Sequence, residues 1–486
     1  MKLNIKSLFL ENIGTRQTIF KNTFWLIIAE VFSRFLEIIL VIYIVRVLGA
    51  AEFGKFAFAM AVASMFVSFS GLGLSEIVTR EIAYNQDAEK EYPAVLSFKI
   101  ILGIGIFFLA IAASFFITQD PLIRLIIMAL TVFYFFNDIF SIIYAFLRAH
   151  QKMEYEAGFK TARSLILIMV VSLVIFKAPS IQNISYGYTV ANFLALIAVL
   201  VFFHTRFYPL KLSFDGPIWR KFFQLSWPLG LAAIFGAIFI NIDSVIMGYL
   251  GQTMQNGWYG AARKAVGIII IPATLVFMSF YPMASKLFKE SGKALQKMWD
   301  YYMALMIILA FPIIAGGFVM APKLMSLLYG PGFEPSIPLF QMLIFIAGIN
   351  FIYYPYALIL IVSGQQKKYL FGHAMGAVVN VVLNIILIPR YGPHGAAISA
   401  VVTYIILLLS VVTLSRYTTP ISIFSRQLCI LLSITMLSSL IMFAIVNQLL
   451  IYNANIFYLV SIGTLTYFSV FLSCCMVFKK YNNVIE

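Results

Sequence analysis

Charged residues are scarce in this sequence. Of its 486 residues, 11% are Asp, Glu, Lys or Arg, whereas 62% are hydrophobic. A water-soluble domain has about one quarter charged and about one half apolar residues. Because a soluble protein needs a polar coat around its core, this composition excludes a soluble globular chain and predicts a protein that lies in lipid.

Cysteine, histidine and the motifs of catalysis are also scarce. The three cysteines, Cys429, Cys474 and Cys475, lie in apolar segments without the spacing of a disulfide framework or a metal site. The sequence has no Ser/His/Asp arrangement and no glycine-rich phosphate-binding loop. Its polar segments are short, whereas membrane glycosyltransferases and polymerases place their catalytic groups in long loops. We therefore predict no catalytic residue, no metal and no cofactor, and a protein that is not an enzyme.

Acidic residues are outnumbered by basic ones, 19 to 34, which gives a net charge of +15. The Lys and Arg residues are spread over short segments between apolar runs, without the basic stripe of a nucleic-acid-binding protein. Such a distribution is typical of a membrane orientation signal. We therefore exclude nucleic acid as a partner.

Long apolar runs fill most of the chain. A bilayer core needs about 20 apolar residues for each helix that crosses it. Fourteen such runs are present, and they are too long, and alternate too little, for barrel strands. They begin near Phe24, Phe53, Pro93, Pro121, Ala157, Ser185, Lys221, Gly257, Asp300, Ser336, Tyr369, His394, Phe424 and Asn455. The sequence predicts an all-α polytopic membrane protein with about fourteen transmembrane helices.

The basic residues give the orientation of these helices. With the N-terminus in the cytoplasm, most Lys and Arg residues fall on the cytoplasmic side, from Lys2 and Lys6 to Lys479 and Lys480. The external loops hold only Arg46, Lys55, Arg124, Lys177, Lys323 and Arg390. A wrong number of spans would put this alternation out of phase. We therefore predict a multi-pass protein with both termini in the cytoplasm.

The chain contains an internal repeat with an offset of about 200 residues. The stretch after Leu48-Gly49 resembles the stretch after Leu250-Gly251, and residues 145–152 resemble residues 361–367. A weaker match joins residues 186–192 to residues 394–400. Each match alone is weak, but all three occur in the same order. Because six helices separate the copies, the two halves have the same orientation in the membrane, as in parallel-repeat transporters.

The repeat divides the chain into four parts. We predict an N-terminal lobe of spans one to six (residues 1–205), a cytoplasmic linker (206–220) and a C-terminal lobe of spans seven to twelve (221–416). Residues 417–486 form two extra helices without a counterpart in the first half. Two lobes of six helices with a cleft between them are typical of a transporter.

Span one carries three charges in an apolar context. Glu30, Arg34 and Glu37 are spaced by four and three residues, so that they share one helix face. Ionisable residues inside a membrane face a polar cavity or a partner. One interpretation is a self-contained Glu30–Arg34 ion pair that fastens the helix to its neighbours. The other is the wall of a substrate cavity, and we assign the three residues to substrate binding because span one opens the repeat.

Two acidic residues of other spans are candidates for ion coupling. Asp243 lies in span seven, the repeat partner of span one, and Asp138 lies in the middle of span four. Asp243 either binds a proton or a cation, or pairs with a cation of its lobe.

The remaining basic residues within spans have two interpretations. Arg263 and Lys264 of span eight either extend to the outer headgroups or offer cations to an anionic substrate, and we include them among the substrate-binding candidates. Lys160 and Arg163 are predicted to lie at the cytoplasmic headgroup level, because they come early in span five.

Four stretches resemble one known family. They are the opening from Asn22-Thr-Phe-Trp to Glu37, the Leu48-Gly-Ala-Ala-Glu-Phe-Gly-Lys-Phe-Ala stretch, the Ser363-Gly-Gln-Gln-Lys step and the Asn380-Val-Val-Leu-Asn-Ile-Ile-Leu-Ile-Pro-Arg-Tyr-Gly-Pro-His-Gly-Ala-Ala run. With them, nearly the whole chain resembles the polysaccharide flippases of the Wzx/RfbX type, in the multidrug/oligosaccharidyl-lipid/polysaccharide exporter superfamily.

The resemblance implies a V-shaped bundle of two lobes that opens alternately to each side of a prokaryotic cytoplasmic membrane. It implies flipping of an oligosaccharide on a polyprenyl pyrophosphate to the outer leaflet, for cell-surface polysaccharide biosynthesis. The implied partners are this lipid-linked oligosaccharide, the membrane lipids, and the polymerase and glycosyltransferases of the same pathway. Arg34 is the best-placed cation for the pyrophosphate, although the nearby acidic residues make the predicted cavity mixed in charge.

Two alternative functions are retained. A cation-coupled multidrug exporter of the same superfamily is expected to confer drug resistance that depends on a cation gradient. A membrane-embedded polysaccharide polymerase is the second alternative, and its loss would leave single sugar units displayed outside.

Overall fold

The computed structural model describes residues 14–290, 292–418, 421, 426–452 and 454–485. Within these residues the chain forms fourteen α-helices and one short 3-10 helix, Gln86–Glu91, and no strand. The helices are α1 Thr15–Gly71, α2 Leu74–Tyr84, α3 Tyr92–Ile117, α4 Pro121–Ala149, α5 Met153–Lys177, α6 Ile181–Arg206, α7 Gly216–Tyr249, α8 Thr253–Glu290, α9 Gly292–Tyr329, α10 Ser336–Val362, α11 Gln366–Tyr391, α12 Pro393–Thr418, α13 Arg426–Ile451 and α14 Ile456–Ile485. The predicted all-α polytopic fold is confirmed. The basic residues Lys2 and Lys6 lie outside the described residues.

Within the part of the chain that the structure describes, twelve helices, α3 to α14, are long and apolar enough to cross a membrane. They coincide with the predicted spans three to fourteen. Helix α1 has 57 residues, and at 1.5 Å per residue it is about 85 Å long, far more than one bilayer core. Gly49 interrupts it with φ 70° and ψ 177°, at the position where the sequence predicts the loop between spans one and two. The full number of fourteen crossings stays a prediction.

The helices form two compact units, residues 1–257 and 258–486. In the first unit α1 packs on α4, α5 and α7, and a core cluster around Tyr92, Phe140 and Phe146 lies between α2, α3, α4 and α6. In the second unit α9 packs on α10 and α13, and α12 packs on α10 and α11. The predicted boundaries of lobes, linker and C-terminal helices stay a prediction, although residues 207–215 between α6 and α7 are not helical.

The two segments matched by the sequence repeat share a backbone feature. Gly49 interrupts α1 with φ 70°, and Gly251 precedes α8 with φ 73°. Each follows a leucine, Leu48 or Leu250, and each lies at the start of the helix that follows. Glycine adopts positive φ without the steric cost of a Cβ, which explains why both turns carry it.

These segments also contact each other reciprocally. A Cβ on Gly54 would collide with the carbonyl oxygen of Thr253, and a Cβ on Gly257 would collide with the carbonyl oxygen of Ala50. The amide of Asn256 donates to the Gly54 carbonyl at 2.9 Å. The two backbones therefore meet at a distance that only glycine permits.

Candidate functional site

The charged face of α1 forms an ion pair. Arg34 Nε lies 2.6 Å from Glu30 Oε1, one helical turn away. The side chains of Arg34 and Glu30 are 44% and 30% exposed, and Glu37, on the same face, is also exposed. The ion pair expected under the first interpretation is therefore present. Its exposure leaves the guanidinium accessible, so the pair is compatible with a substrate contact as well.

A second charged face lies on α5. Glu156, Lys160 and Arg163 have the same spacing of four and three residues as the charges of α1. Lys160 Nζ lies 3.0 Å from Glu156 Oε1 and 4.0 Å from Glu30 Oε2. Lys160 therefore connects the charged faces of α1 and α5.

The buried carboxylate of Glu156 extends this connection to α4. Arg148, at the end of α4, binds it through two nitrogens, with Nε 2.7 Å from Oε2 and Nη2 2.6 Å from Oε1. Glu156 has no exposed side-chain surface. A buried carboxylate is tolerated only where cations and hydrogen bonds surround it. Three cations and two carboxylates thus alternate across three helices in the order Arg34, Glu30, Lys160, Glu156, Arg148, which we call the ion chain.

A further ion pair joins the beginnings of α1 and α5. Lys21 Nζ, which is fully buried, lies 2.9 Å from Glu154 Oε2. With the Glu30–Lys160 contact farther along, this pair shows that α1 and α5 run in the same direction. The two pairs fix the register of these helices.

Arg163 lies within α5 and contacts α6. Helix α5 begins at Met153, which makes Arg163 the eleventh of 25 residues, about 15 Å along the helix axis. This is near the middle of the helix, and the location of Arg163 at the headgroup level stays a prediction. Its Nε donates to Asn192 Oδ1 at 2.9 Å.

Asp138 belongs to a different cluster. Its Oδ2 lies 2.8 Å from Lys99 Nζ and accepts a hydrogen bond from Ser70 Oγ at 2.5 Å. Lys99, which is 1% exposed, also donates to the carbonyls of Ser70 and Gly71 at 3.0 and 3.3 Å. These carbonyls end α1, where backbone acceptors have no partner within the helix. Ion coupling by Asp138 stays a prediction.

The other predicted residues lie on α7 and α8. Asp243 is buried in α7 and accepts a hydrogen bond from the Ser244 amide at 2.8 Å. Arg263 is half-buried and Lys264 exposed in α8, within the second unit. The predicted meeting of these residues with Arg34 around one substrate stays a prediction.

Sequence reasoning missed three residues of these clusters, Lys99, Arg148 and Glu156. It also missed that Lys160 connects α1 and α5. Glu156 lies before the predicted start of span five near Ala157, so the apolar run does not include it. The signal that could have found it is the spacing of Glu156, Lys160 and Arg163, which repeats the spacing on α1. Lys99 has no such signal, because its partner is 39 residues away on another helix.

Comparison with known proteins gives consistent relatives. The chain is 21% identical over 403 residues to the capsular polysaccharide biosynthesis protein CapF of Staphylococcus aureus, covering 80% of this chain and 97% of CapF. It is 22% identical over 390 residues to the probable flippase AglR of Haloferax volcanii, covering 77% and 79% of the two chains.

Solved structures share the fold. The lipid II flippase MurJ in an inward closed conformation superimposes with a TM-score of 0.75 at 16% identity, over 94% of this chain and 99% of MurJ. An inward-facing multidrug transporter of the MATE family superimposes with a TM-score of 0.60 at 14% identity, over 78% and 96%.

The sequence also matches a family model. The model described as "Polysaccharide biosynthesis protein" matches residues 19–288, more than half of the chain and the whole segment that carries the ion chain. The resemblance predicted from the sequence is confirmed, and the chain belongs to the polysaccharide biosynthesis protein family.

Proposed function

We propose that this protein flips an oligosaccharide linked to a polyprenyl pyrophosphate from the cytoplasmic to the outer leaflet by alternating access. The observation that carries the proposal is the ion chain, with the accessible guanidinium of Arg34 at its end. A pyrophosphate that crosses the membrane interior needs cations in place of water. Arginine suits this role because its fork of N–H donors matches phosphate oxygens.

The mixed charge of the ion chain suits transport better than tight capture. Its three cations and two carboxylates leave a net charge of one, and Glu30 holds Arg34 when no anion is bound. An anion that pairs with Arg34 displaces Glu30, which has Lys160 as a second partner. Such an exchange keeps every charge paired before and after binding. The substrate can therefore bind and still be released.

An apolar cavity in the second unit supports a lipid-linked substrate. It has a volume of about 250 Å³ and lies between α9, α13 and α14, with Pro312, Met442 and Leu459 in its wall. Tyr467 is its main polar residue, and its hydroxyl donates to the Ile308 carbonyl at 2.7 Å. A polyprenyl chain is the part of the proposed substrate that such a surface favours.

We propose further that the protein performs no catalytic step and works in the cytoplasmic membrane of a prokaryote, with both termini in the cytoplasm. Its partners are the lipid-linked oligosaccharide, the surrounding lipids, and the polymerase and glycosyltransferases of the same pathway. The names of CapF, a capsular polysaccharide protein, and AglR, a probable flippase, support this assignment. The fold shared with MurJ supports it as well.

The test is a strain that lacks the protein. A flippase mutant is expected to accumulate complete lipid-linked units that an external glycosidase cannot reach. A polymerase mutant would display single units outside, and that result would replace our proposal. Re-expression of the Arg34→Gln variant is expected to leave the units trapped inside, whereas Arg80→Gln, an exposed arginine paired with Glu81, serves as the matched control.

The multidrug exporter is the second candidate, favoured by the MATE-like fold. It predicts that the same strain becomes sensitive to cationic drugs and that a cation gradient drives their export from proteoliposomes. We expect neither effect. Drug export by the purified protein without flipping of a fluorescent polyprenyl-linked sugar would select this candidate instead.

A further inference from the structure

Arg163 is held rigidly by three helices. Its Nε donates to Asn192 Oδ1 on α6 at 2.9 Å, and its guanidinium carbon lies 5.3 Å from the centre of the Phe140 ring on α4. Asn192 is fully buried, and its own amide donates to the Phe133 carbonyl at 3.0 Å and to Asn137 Oδ1 at 2.7 Å. The amide therefore has one orientation, and it presents its oxygen to Arg163. This arrangement fixes the guanidinium before any ligand arrives.

Arg163 differs from the other cations of this region in its counter-ions. Arg34, Lys160, Arg148 and Lys99 each have a carboxylate within ion-pair distance. Around Arg163, no carboxylate oxygen lies within 4.0 Å among the residues that the structure describes. A fixed charge that lacks a counter-ion is costly in apolar surroundings. The side chain is only partly buried, so a ligand can supply the missing negative charge.

A buried hydroxyl lies beside this guanidinium. Tyr144 follows Phe140 by one turn on α4, and the two rings stack with centroids 5.9 Å apart. Arg163 lies over the Phe140 ring, and Lys160 Nζ lies 5.7 Å from the centre of the Tyr144 ring. The Tyr144 hydroxyl is buried beside Arg163, so the Phe140 and Tyr144 side chains both help to hold the guanidinium in place.

Arg163 and Arg34 occupy equivalent places on neighbouring helices. Lys160 of α5 approaches Glu30 of α1, and Arg163 and Arg34 each lie one turn beyond that contact. Because α1 and α5 run in the same direction, both arginines lie on the same side of the Glu30–Lys160 contact.

We propose that Arg163 is a second anion-binding residue, which holds a phosphate group of the substrate together with Arg34. The inference rests on the proposed function, and it adds the residue that receives the second phosphate of a diphosphate. A single guanidinium can bind either a diphosphate or a singly charged headgroup. Two guanidinium groups on separate helices favour the diphosphate.

The experiment measures binding of farnesyl diphosphate to the purified full-length protein in lipid nanodiscs, with inorganic pyrophosphate as a second probe. Arg163→Gln is expected to weaken farnesyl diphosphate binding by about 10- to 100-fold, since a charge-assisted hydrogen bond contributes about that much. The matched control is Arg124→Gln. Arg124 also lies over an aromatic ring, that of Phe115 at 4.7 Å, and donates to a backbone carbonyl, but at the start of α4. Its affinity should stay within about twofold of the wild type.

Each outcome decides a separate question. If Arg163→Gln lowers the melting temperature but keeps the affinity, Arg163 only ties the helices together and the inference is wrong, while the proposed function stands. If the wild type binds neither probe, the proposed function fails with it. Weaker binding of both probes locates the contact at the diphosphate, whereas loss confined to the farnesyl compound would place it at the lipid and overturn the inference.

Should Arg163→Gln fail to fold, Arg163→Lys tests the same point, because it keeps the charge but loses the forked pair of N–H donors. A several-fold weaker affinity is expected.

Discussion

Individual ionisable residues decide what this membrane protein can do, because a charged side chain within a membrane faces either a partner or a polar cavity. The sequence located Glu30, Arg34 and Asp138 inside spans, and the structure supplies partners for Glu30 and Asp138 on other helices. Helical spacing revealed the Glu30–Arg34 pair, which lies within one helix. It could not reveal Lys99 as the partner of Asp138, since that contact depends on how α3 and α4 pack.

Loss of the Glu156 carboxylate should destabilise the protein strongly. Glu156→Gln leaves Arg148 and Lys160 without their shared buried anion. Removing one partner of a buried ion pair costs about 3–5 kcal/mol of stability. The melting temperature of the purified variant is expected to fall by several degrees. Glu81→Gln, at the exposed Arg80–Glu81 pair, should change it little, because surface pairs contribute at most about 1 kcal/mol. Equal shifts in the two variants would contradict the burial argument.

The Lys99–Asp138 pair should behave as a unit. Lys99→Met and Asp138→Leu each leave one buried charge, and each single variant is expected to lower the melting temperature sharply. The double variant removes both charges, so it should be more stable than either single variant. Thermal unfolding of the four proteins gives the coupling directly. Additive losses would mean that the two side chains act independently, and that Lys99 serves mainly to cap the end of α1.

At the scale of helices, the apolar runs predicted the existence of α3 to α14 well but not the details of their ends. Span five was predicted to begin near Ala157, whereas α5 begins at Met153, and this one turn moves Glu156 and Arg163 deeper into the helix. Hydropathy does not register a charged first turn as helix. The break at Gly49 was predicted as a loop, but the reciprocal backbone contact of Gly54 and Gly257 depends on tertiary packing.

The glycine contact should be sensitive to any side chain. Gly54→Val places methyl groups against the Thr253 carbonyl and separates the two segments. Asn256, which is fully buried beside Gly54, should then become reachable. A cysteine at position 256 is expected to react several-fold faster with a polar maleimide when Gly54 is replaced. Gly267→Val is the matched control, since a Cβ there meets nothing within 4 Å. Equal labelling of the two variants would show that the contact accommodates the larger side chain without exposing position 256.

At the scale of the whole molecule, the balance of basic residues predicts the topology, and the fourteen crossings depend on α1 crossing twice around Gly49. The chain has three cysteines, all near its C-terminal end, so their replacement gives a background for labelling. Cysteines introduced at Ala51 and Gln119 should both react with an impermeant reagent added to intact cells, and one at Gln151 should react only after the membrane is opened. If α1 crossed only once, Ala51 would lie inside its span and the N-terminus would be on the same side as Gln119. A reporter fused to the N-terminus would then be active outside, contrary to the cytoplasmic location that we expect. The parallel orientation of the two repeat copies would also be lost, because an odd number of helices would separate them.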